Sequence, residues 1–232
     1  MMHLEAVRRL KEAGVRLKRT VHISFVPEIR VTSRGEPGHG SRLPANTAGE
    51  KLYYVIDKLM KLRAEQKKIL DEGAALGDVT TVNLTQLEGG VQFNVLPESL
   101  TATFDIRIAP HVDHDQFEKM ILKWCKEAGE GVSFEYIVKN PEIPSTKIYG
   151  SVPFWEAVKD TVKDMGLKLS SAICPGATDA RFVRRQGIPM FGFSPILNTP
   201  LLLHAHDERI RVHDYKKGIE IMEKVVRAIA NV

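Results

Sequence analysis

From Leu100 to Ile108 the chain alternates without a break. Leu100, Ala102, Phe104, Ile106 and Ile108 fall on one side, and Thr101, Thr103, Asp105 and Arg107 on the other. A period of two is that of a β-strand with one buried face. Ile29–Ser33, Val79–Leu87 and Val132–Val138 also read as strands. Between them the period lengthens. Leu52, Val55, Ile56, Leu59 and Leu62 stripe a long helix over Thr47–Leu70, and Phe117, Met120, Ile121 and Trp124 stripe a second over Asp115–Ala128. The stretches EGG and NVLPE read as irregular connections. The order from Ile29 onward is therefore β-α-β-β-α-β. It predicts a ferredoxin-like α+β unit, four antiparallel strands with both helices on one face. The polar side of Leu100–Ile108 would then be an open sheet face, left uncovered by those helices.

The flanking pattern is of a different kind. His3–Ala13 reads as a short amphipathic helix ended by Gly14, and Thr20–Val26 as an apolar strand. KNPEIPST (Lys139–Thr146) is Pro-rich and reads as a linker. Beyond it, helices are expected at Val152–Met165 and Tyr215–Ile229, and strands at Lys168–Ile173 and Ile188–Phe193. Alternating helices and strands indicate an α/β fold class. The expected organisation is an α/β domain in two pieces, 1–28 and 139–232, interrupted by the unit 29–138.

Composition narrows the function classes. At 232 residues, with 43% hydrophobic and 27% charged, the chain suits one large or two small globular domains. A net charge of +4 with no long run of like charge does not call for nucleic acid. The polar face of Leu100–Ile108 also lacks the aromatics that stack bases. No 18-residue apolar run predicts a membrane span, and MMHLEAVRRLKEAG lacks the apolar core of a signal peptide. Cys125 and Cys174 form no C-x-x-C pair; both read as reduced and structural, which suits the cytoplasm.

Four places can carry chemistry. In LLLHAHDER, His204 and His206 share a face if the segment is extended, either as metal ligands or as a polar loop; a zinc site needs three or four ligands. CPGATDARF runs through Gly176 into a helix capped by Thr178 or Asp179, with Arg181 one turn in; it is an anion site or an ordinary capped helix. In EPGHGSR, His39 lies between glycines, as a proton donor, an oxyanion stabiliser or a plain loop histidine. Arg107 beside Asp105 reads as an available fork or as a cross-strand ion pair.

Taken in order, HLEAVRRLKEAG, HISFVPE, IRVTSRGEPGHGSR, TTVNLTQLEGG, NVLPESLTATFDIRIAP, PGATDARF and FGFSPILNTPLLLHAHDER resemble the cytosolic aminoacylases, within the two-zinc amidohydrolases. The resemblance covers essentially the whole chain. It implies an α/β zinc domain carrying a ferredoxin-like dimerisation insert. It implies hydrolysis of N-acyl-L-amino acids to a carboxylate and a free amino acid, with a zinc-bound water as attacking group and a Glu as general base. By the resemblance, His204 falls on a zinc ligand. His39 falls on the insert histidine that reaches into the partner subunit's site. Asn94 and Arg107 fall on substrate-binding insert residues, and Gly176, Thr178 and Arg181 on the substrate loop of the zinc domain.

The departures from that pattern carry the expectation about activity. The family's H-x-D ligand segment precedes the HLEAVRRL helix, with which this sequence opens. FVPE should lead into the general-base Glu and a zinc-ligand Glu, but Glu28 is followed at once by Ile29. One retained ligand does not hold zinc tightly. The expectation is an incomplete zinc-hydrolase domain, inactive alone. The alternative is a non-catalytic partner that forms a homodimer, or a heterodimer with a full-length aminoacylase, through its insert.

Overall fold

Residues Ile29–Arg34 form β1, burying Ile29, Val31 and Ser33 and turning the alternate side chains away. The computed structural model describes residues 29–137, 139, 145–146, 148, 152–174, 178–200, 202 and 205–232. The expected helix His3–Ala13 and strand Thr20–Val26 lie outside them. The chain divides into two compact units: Ser24–Ser145 with Ala172–Arg185, and Met1–Ile23 with Thr146–Ser171 and Gln186–Val232.

In the first unit β1 leads to β2 (Gly38–His39), then α1 (Ala48–Asp71). The helix starts where it does because Thr47 and Glu50 cap it reciprocally. Thr47 Oγ1 accepts from the Glu50 N–H at 3.2 Å, and the Glu50 carboxylate accepts from the Thr47 N–H at 3.0 Å. Then follow β3 (Thr81–Gly89), β4 (Val95–Leu96), β5 (Ser99–Arg107), α2 (His114–Ala128) and β6 (Val132–Tyr136). Asp113 caps α2 by accepting from the Gln116 N–H at 2.9 Å. The main sheet has the order β3-β5-β1-β6 with every pair antiparallel, the connectivity of a split βαβ unit. Leu52, Val55 and Leu59 of α1 and Phe117, Ile121 and Cys125 of α2 close one face over Ile29, Val31, Val82, Ala102 and Phe104. Ser33, buried among them, donates to the Ala48 carbonyl at 3.0 Å and ties β1 to the start of α1.

Three details depart from the periodicity, the first being that Glu88 and Gly89 of the stretch EGG, expected to be irregular, continue β3 and pair with Thr101 and Leu100. β3 begins at Thr81 instead of Val79, because Leu76–Asp78 forms a 3₁₀ turn and Thr80 is engaged on both sides. The Thr80 N–H donates to Gln66 Oε1 at 2.8 Å, and its hydroxyl accepts from the Ala109 N–H at 3.0 Å. The NVLPE stretch, expected to be irregular, supplies β4, which pairs with β2 in a short ribbon. Also in this unit is α4 (Ala180–Arg184).

The second unit contains α3 (Pro153–Asp164) and α5 (Val212–Ile229). Val158 and Val162 pack on Ile221 and Val225, while Ile219, Met222 and Val226 pack with Phe193, Ile210 and Tyr215. The expected strands Lys168–Ile173 and Ile188–Phe193 form no ladder among the described residues. An inner strand of an α/β sheet bonds only to neighbouring strands, and none flanks these segments there. The architecture is mixed α/β. Among the described residues no helix is long and apolar enough to cross a membrane.

Candidate functional site

The β2–β4 ribbon is the first element of the site. Gly38 pairs with Leu96 and His39 with Val95, and the Gly40 N–H donates to the Asn94 carbonyl at 2.7 Å. A Cβ on Gly40 would stand 3.1 Å from that carbonyl oxygen, so glycine permits the approach. The fold therefore brings His39 and Asn94 together. His39 is exposed, and its Nδ1 accepts from the Ser41 N–H at 3.2 Å, with Ser41 Oγ at 2.8 Å. An Nδ1 that accepts from the backbone puts the neutral ring's hydrogen on Nε2. Ser41 thus makes His39 an outward Nε2–H donor, a role that the pattern H-x-S could have suggested.

Arg107 sits elsewhere. It pairs with Thr81 at the end of β5 opposite Ser99, where the strand leads toward the ribbon. At the usual rise those ends are roughly 27 Å apart. Arg107 Nε and one Nη donate to the two Asp105 oxygens, each at 2.5 Å. The expected cross-strand pair is a pair within one strand, because residues two apart share a face. Both side chains are less than one-third exposed.

The polar face around them is knitted by its own groups. Thr32 and Thr101 hydroxyls lie 3.2 Å apart, and Arg30 reaches Glu135 at 3.5 Å. At the bulge between Leu84 and Gln86, Thr85 donates to the Thr103 carbonyl at 3.1 Å. Thr103 is buried on this side despite its place on the polar face, and its hydroxyl has no hydrogen-bond partner.

Thr178 and Arg181 lie on a third segment. Neither Thr178 nor Asp179 caps α4 through its side chain, contrary to expectation. Thr178 instead offers its carbonyl, which accepts from Arg181 Nη1 at 3.1 Å. The Arg181 guanidinium stacks on Phe182, 4.5 Å from the ring centre, and approaches Asp179 at 4.0 Å. Its Nε is buried without a partner. Gly176 and His204 lie outside the described residues. Among those described, no three histidine, cysteine or carboxylate side chains form a group able to hold a metal ion. Asp207, beside His206, is taken by Arg209 at 2.5 Å. Cys125 is buried and its thiol is pushed up by that burial, while Cys174, expected to be structural, is exposed.

Comparison with known proteins gives the context. Residues 1–228 match the model of peptidase family M20/M25/M40. Aminoacylase-1 of Sus scrofa is 39% identical over 282 residues, a match that takes in all of this chain and 69% of the relative. Aminoacylase-1 of Dictyostelium discoideum is 35% identical over 294 residues, again with all of this chain and 72% of the relative. Among solved structures, AtUAH in complex with (S)-hydroxyglycine superposes with a TM-score of 0.60 at 17% identity, over 97% of this chain. That likeness supports the fold alone, and the chain spans about half (51%) of that protein.

Proposed function

Because this chain belongs to peptidase family M20/M25/M40 and within it to the aminoacylases, we propose that it is a shortened aminoacylase-type chain that does not hydrolyse N-acyl-L-amino acids by itself. One observation carries this reading. The match to the Sus scrofa relative runs over 282 residues but uses only this chain's 232, so 50 positions have no counterpart here. We place that gap at the join of Glu28 and Ile29, where the strand HISFV meets IRVTS. By the resemblance, the general-base Glu and acidic zinc ligands belong in that gap. The family is generally zinc-dependent. His204 is the zinc ligand that the resemblance assigns.

In this reading the division is 1–28 and 139–232 for the hydrolase part and 29–138 for a dimerisation insert. His39 offers its Nε2–H to a partner's substrate oxyanion. Asn94 and Arg107 meet substrate, as do Gly176, Thr178 and Arg181. Arg107 would have to loosen its fork on Asp105 to take a ligand carboxylate. The outward donor on His39 also favours a second reading, in which the insert lends that group to, or blocks, a full-length aminoacylase subunit. The location is cytoplasmic.

The test is hydrolysis of N-acetyl-methionine by the pure chain during zinc titration. No turnover and no stoichiometric zinc is the expected result; turnover with stoichiometric zinc would overturn the reading. Sequencing the gene between the codons for Glu28 and Ile29 checks the gap, which should contain an encoded acidic pair. Co-purification with a full-length aminoacylase separates the second reading from the first.

A further inference from the structure

Two buried donors on the open face of the sheet have no acceptor, and they belong to residues that face each other. Arg30 of β1 stands opposite Thr103 of β5 in the register, and opposite Glu135 of β6 on its other side. Its guanidinium is divided accordingly. One Nη reaches the Glu135 carboxylate at 3.5 Å, while Nε is buried with no partner among the described residues. The Thr103 hydroxyl is buried and unpartnered as well, in a residue only 1% exposed. A buried donor without an acceptor has given up its water and gained nothing in return. Two of them on facing residues make a place for one shared acceptor, and a carboxylate suits it because it accepts through two oxygens.

Such a carboxylate stands within reach. Asp105 follows Thr103 on the same face of β5, two residues along. Arg107 already spans that same separation, from the other direction, to hold both Asp105 oxygens with its fork. Asp105 is also diagonal to Arg30, at roughly 7–8 Å, which a long side chain bridges. One carboxylate thus lies between two guanidinium groups, of which Arg107 uses it and Arg30 keeps an idle Nε–H.

We propose that Asp105 is exchanged between these groups. It locks Arg107 in the unliganded chain. When Arg107 turns its fork to a ligand carboxylate, Asp105 swings to the Arg30 Nε–H and the Thr103 hydroxyl. Arg30 and Thr103 are then positioning residues: they touch no ligand, and they ease the release of Arg107 by giving its former partner two donors. Without them, release would strand a carboxylate that is only 22% exposed. With them, each charge keeps a partner. The ligand faces Arg107 and Asp105 faces Arg30, whose other partner, Glu135, is 64% exposed and solvated. The inference rests on the reading of Arg107 as a substrate-binding residue and adds to it the device that frees that side chain.

The experiment reads the guanidinium groups directly, in proton–nitrogen NMR spectra of the arginine Nε–H groups of the full chain, each signal assigned by its loss in Arg30→Lys or Arg107→Lys. In wild type the Arg107 Nε–H is expected at the position of a carboxylate-bonded donor and the Arg30 Nε–H at that of an unbonded one. Arg107→Ala frees Asp105 without any ligand. There the Arg30 signal should move to the bonded position, and the further change Asp105→Ala should send it back. Thr103→Val keeps the shape and removes the hydroxyl. It should leave the wild-type Tm unchanged or raise it, yet lower the Tm of Arg107→Ala, and Thr103→Ser should not lower either. A merely structural threonine would act with one sign in both backgrounds. An Arg30 signal indifferent to Arg107→Ala, or one sign for Thr103→Val throughout, overturns the exchange. N-acetyl-methionine added to the wild-type chain tests the reading beneath it: it should reproduce the Arg30 shift, and Thr103→Val should weaken its binding by ~10-fold. An Arg30 shift seen in Arg107→Ala but not with N-acetyl-methionine overturns Arg107 as the substrate's partner and leaves the exchange standing.

Discussion

Gly35 stands where the chain leaves β1 for the ribbon, and we predict that adding one methyl group there is among the more damaging changes in the first unit. A Cβ on Gly35 would lie 2.1 Å from the Ala48 nitrogen, 2.5 Å from the Thr47 carbonyl carbon and 2.6 Å from the Asn46 carbonyl oxygen. All three are backbone atoms at the capped start of α1, so no flexible side chain can step aside. Gly35 is also held from behind, its N–H donating to the Glu98 carbonyl at 2.9 Å. Relief requires a backbone shift of more than about 1 Å, which also breaks the Thr47–Glu50 capping box. Overpacking of this kind costs ~1–3 kcal/mol or more, and loss of the cap about 1. We expect about 3–4 kcal/mol in urea unfolding. For a unit of this size that is a fall of roughly 10–15 °C in Tm. Gly38→Ala is the matched control: its Cβ would meet nothing nearer than a Leu96 methyl at 4.0 Å, and its stability should stay within ~0.5 kcal/mol of wild type. If the two variants melt together, the steric argument is wrong.

Thr47→Ala should cost about 1 kcal/mol in urea unfolding, and Thr47→Ser only a fraction of that. Phe104→Ala, at a fully buried position in the middle of the sheet, should cost ~3–5 kcal/mol by the same measurement. The Tyr136 hydroxyl is pushed up to about 12 by burial and then by the Glu118 carboxylate beside it. The unfolded chain therefore loses this proton first, and the Tyr136 contribution is whole below pH 10 and lost as pH rises toward 12. Ultraviolet titration of the phenolate should show Glu118→Gln bringing Tyr136 back toward its ordinary value. With a thiol reagent, the native chain should yield Cys174 promptly and Cys125 only on denaturation, since the latter is buried with its thiol pushed up.

Much of the first unit was legible because its elements are long enough to show a period. The alternation over Leu100–Ile108 gave β5 and its buried face, and the stripes gave α1 and α2. The ribbon was not legible: strands of two residues have no period, and β2 with β4 depends on Gly40 letting the Asn94 carbonyl close. The site was legible only in part. Sequence singled out His39 and Asn94 separately, while their meeting is a property of that ribbon. The fork of Arg107 on Asp105 follows from residues two apart sharing a face, but the choice of that partner over a cross-strand one is geometric. The α4 cap failed because Asp179 adopts helical dihedrals in place of the extended ones a capping side chain uses.

The two units should also differ in how they hold their backbone. β5 is paired on both sides, by β1 and β3, and lies under two helices. In the second unit, residues 168–171 and Ile188–Phe193 carry strand-like sequence but have no ladder among the described residues, and Ile188 is 55% exposed. Amide exchange opens such segments without unfolding the helices that flank them. We predict that amides of β5 exchange only by global opening of the first unit, while those of residues 168–171 in the second exchange orders of magnitude faster at the same pH. Heating should then give one cooperative transition, assigned by exchange to residues 29–137. Equal protection of residues 168–171 and β5 would mean that a sheet partner does reach the second unit, and the reading of its hydrolase part as incomplete would fall with it.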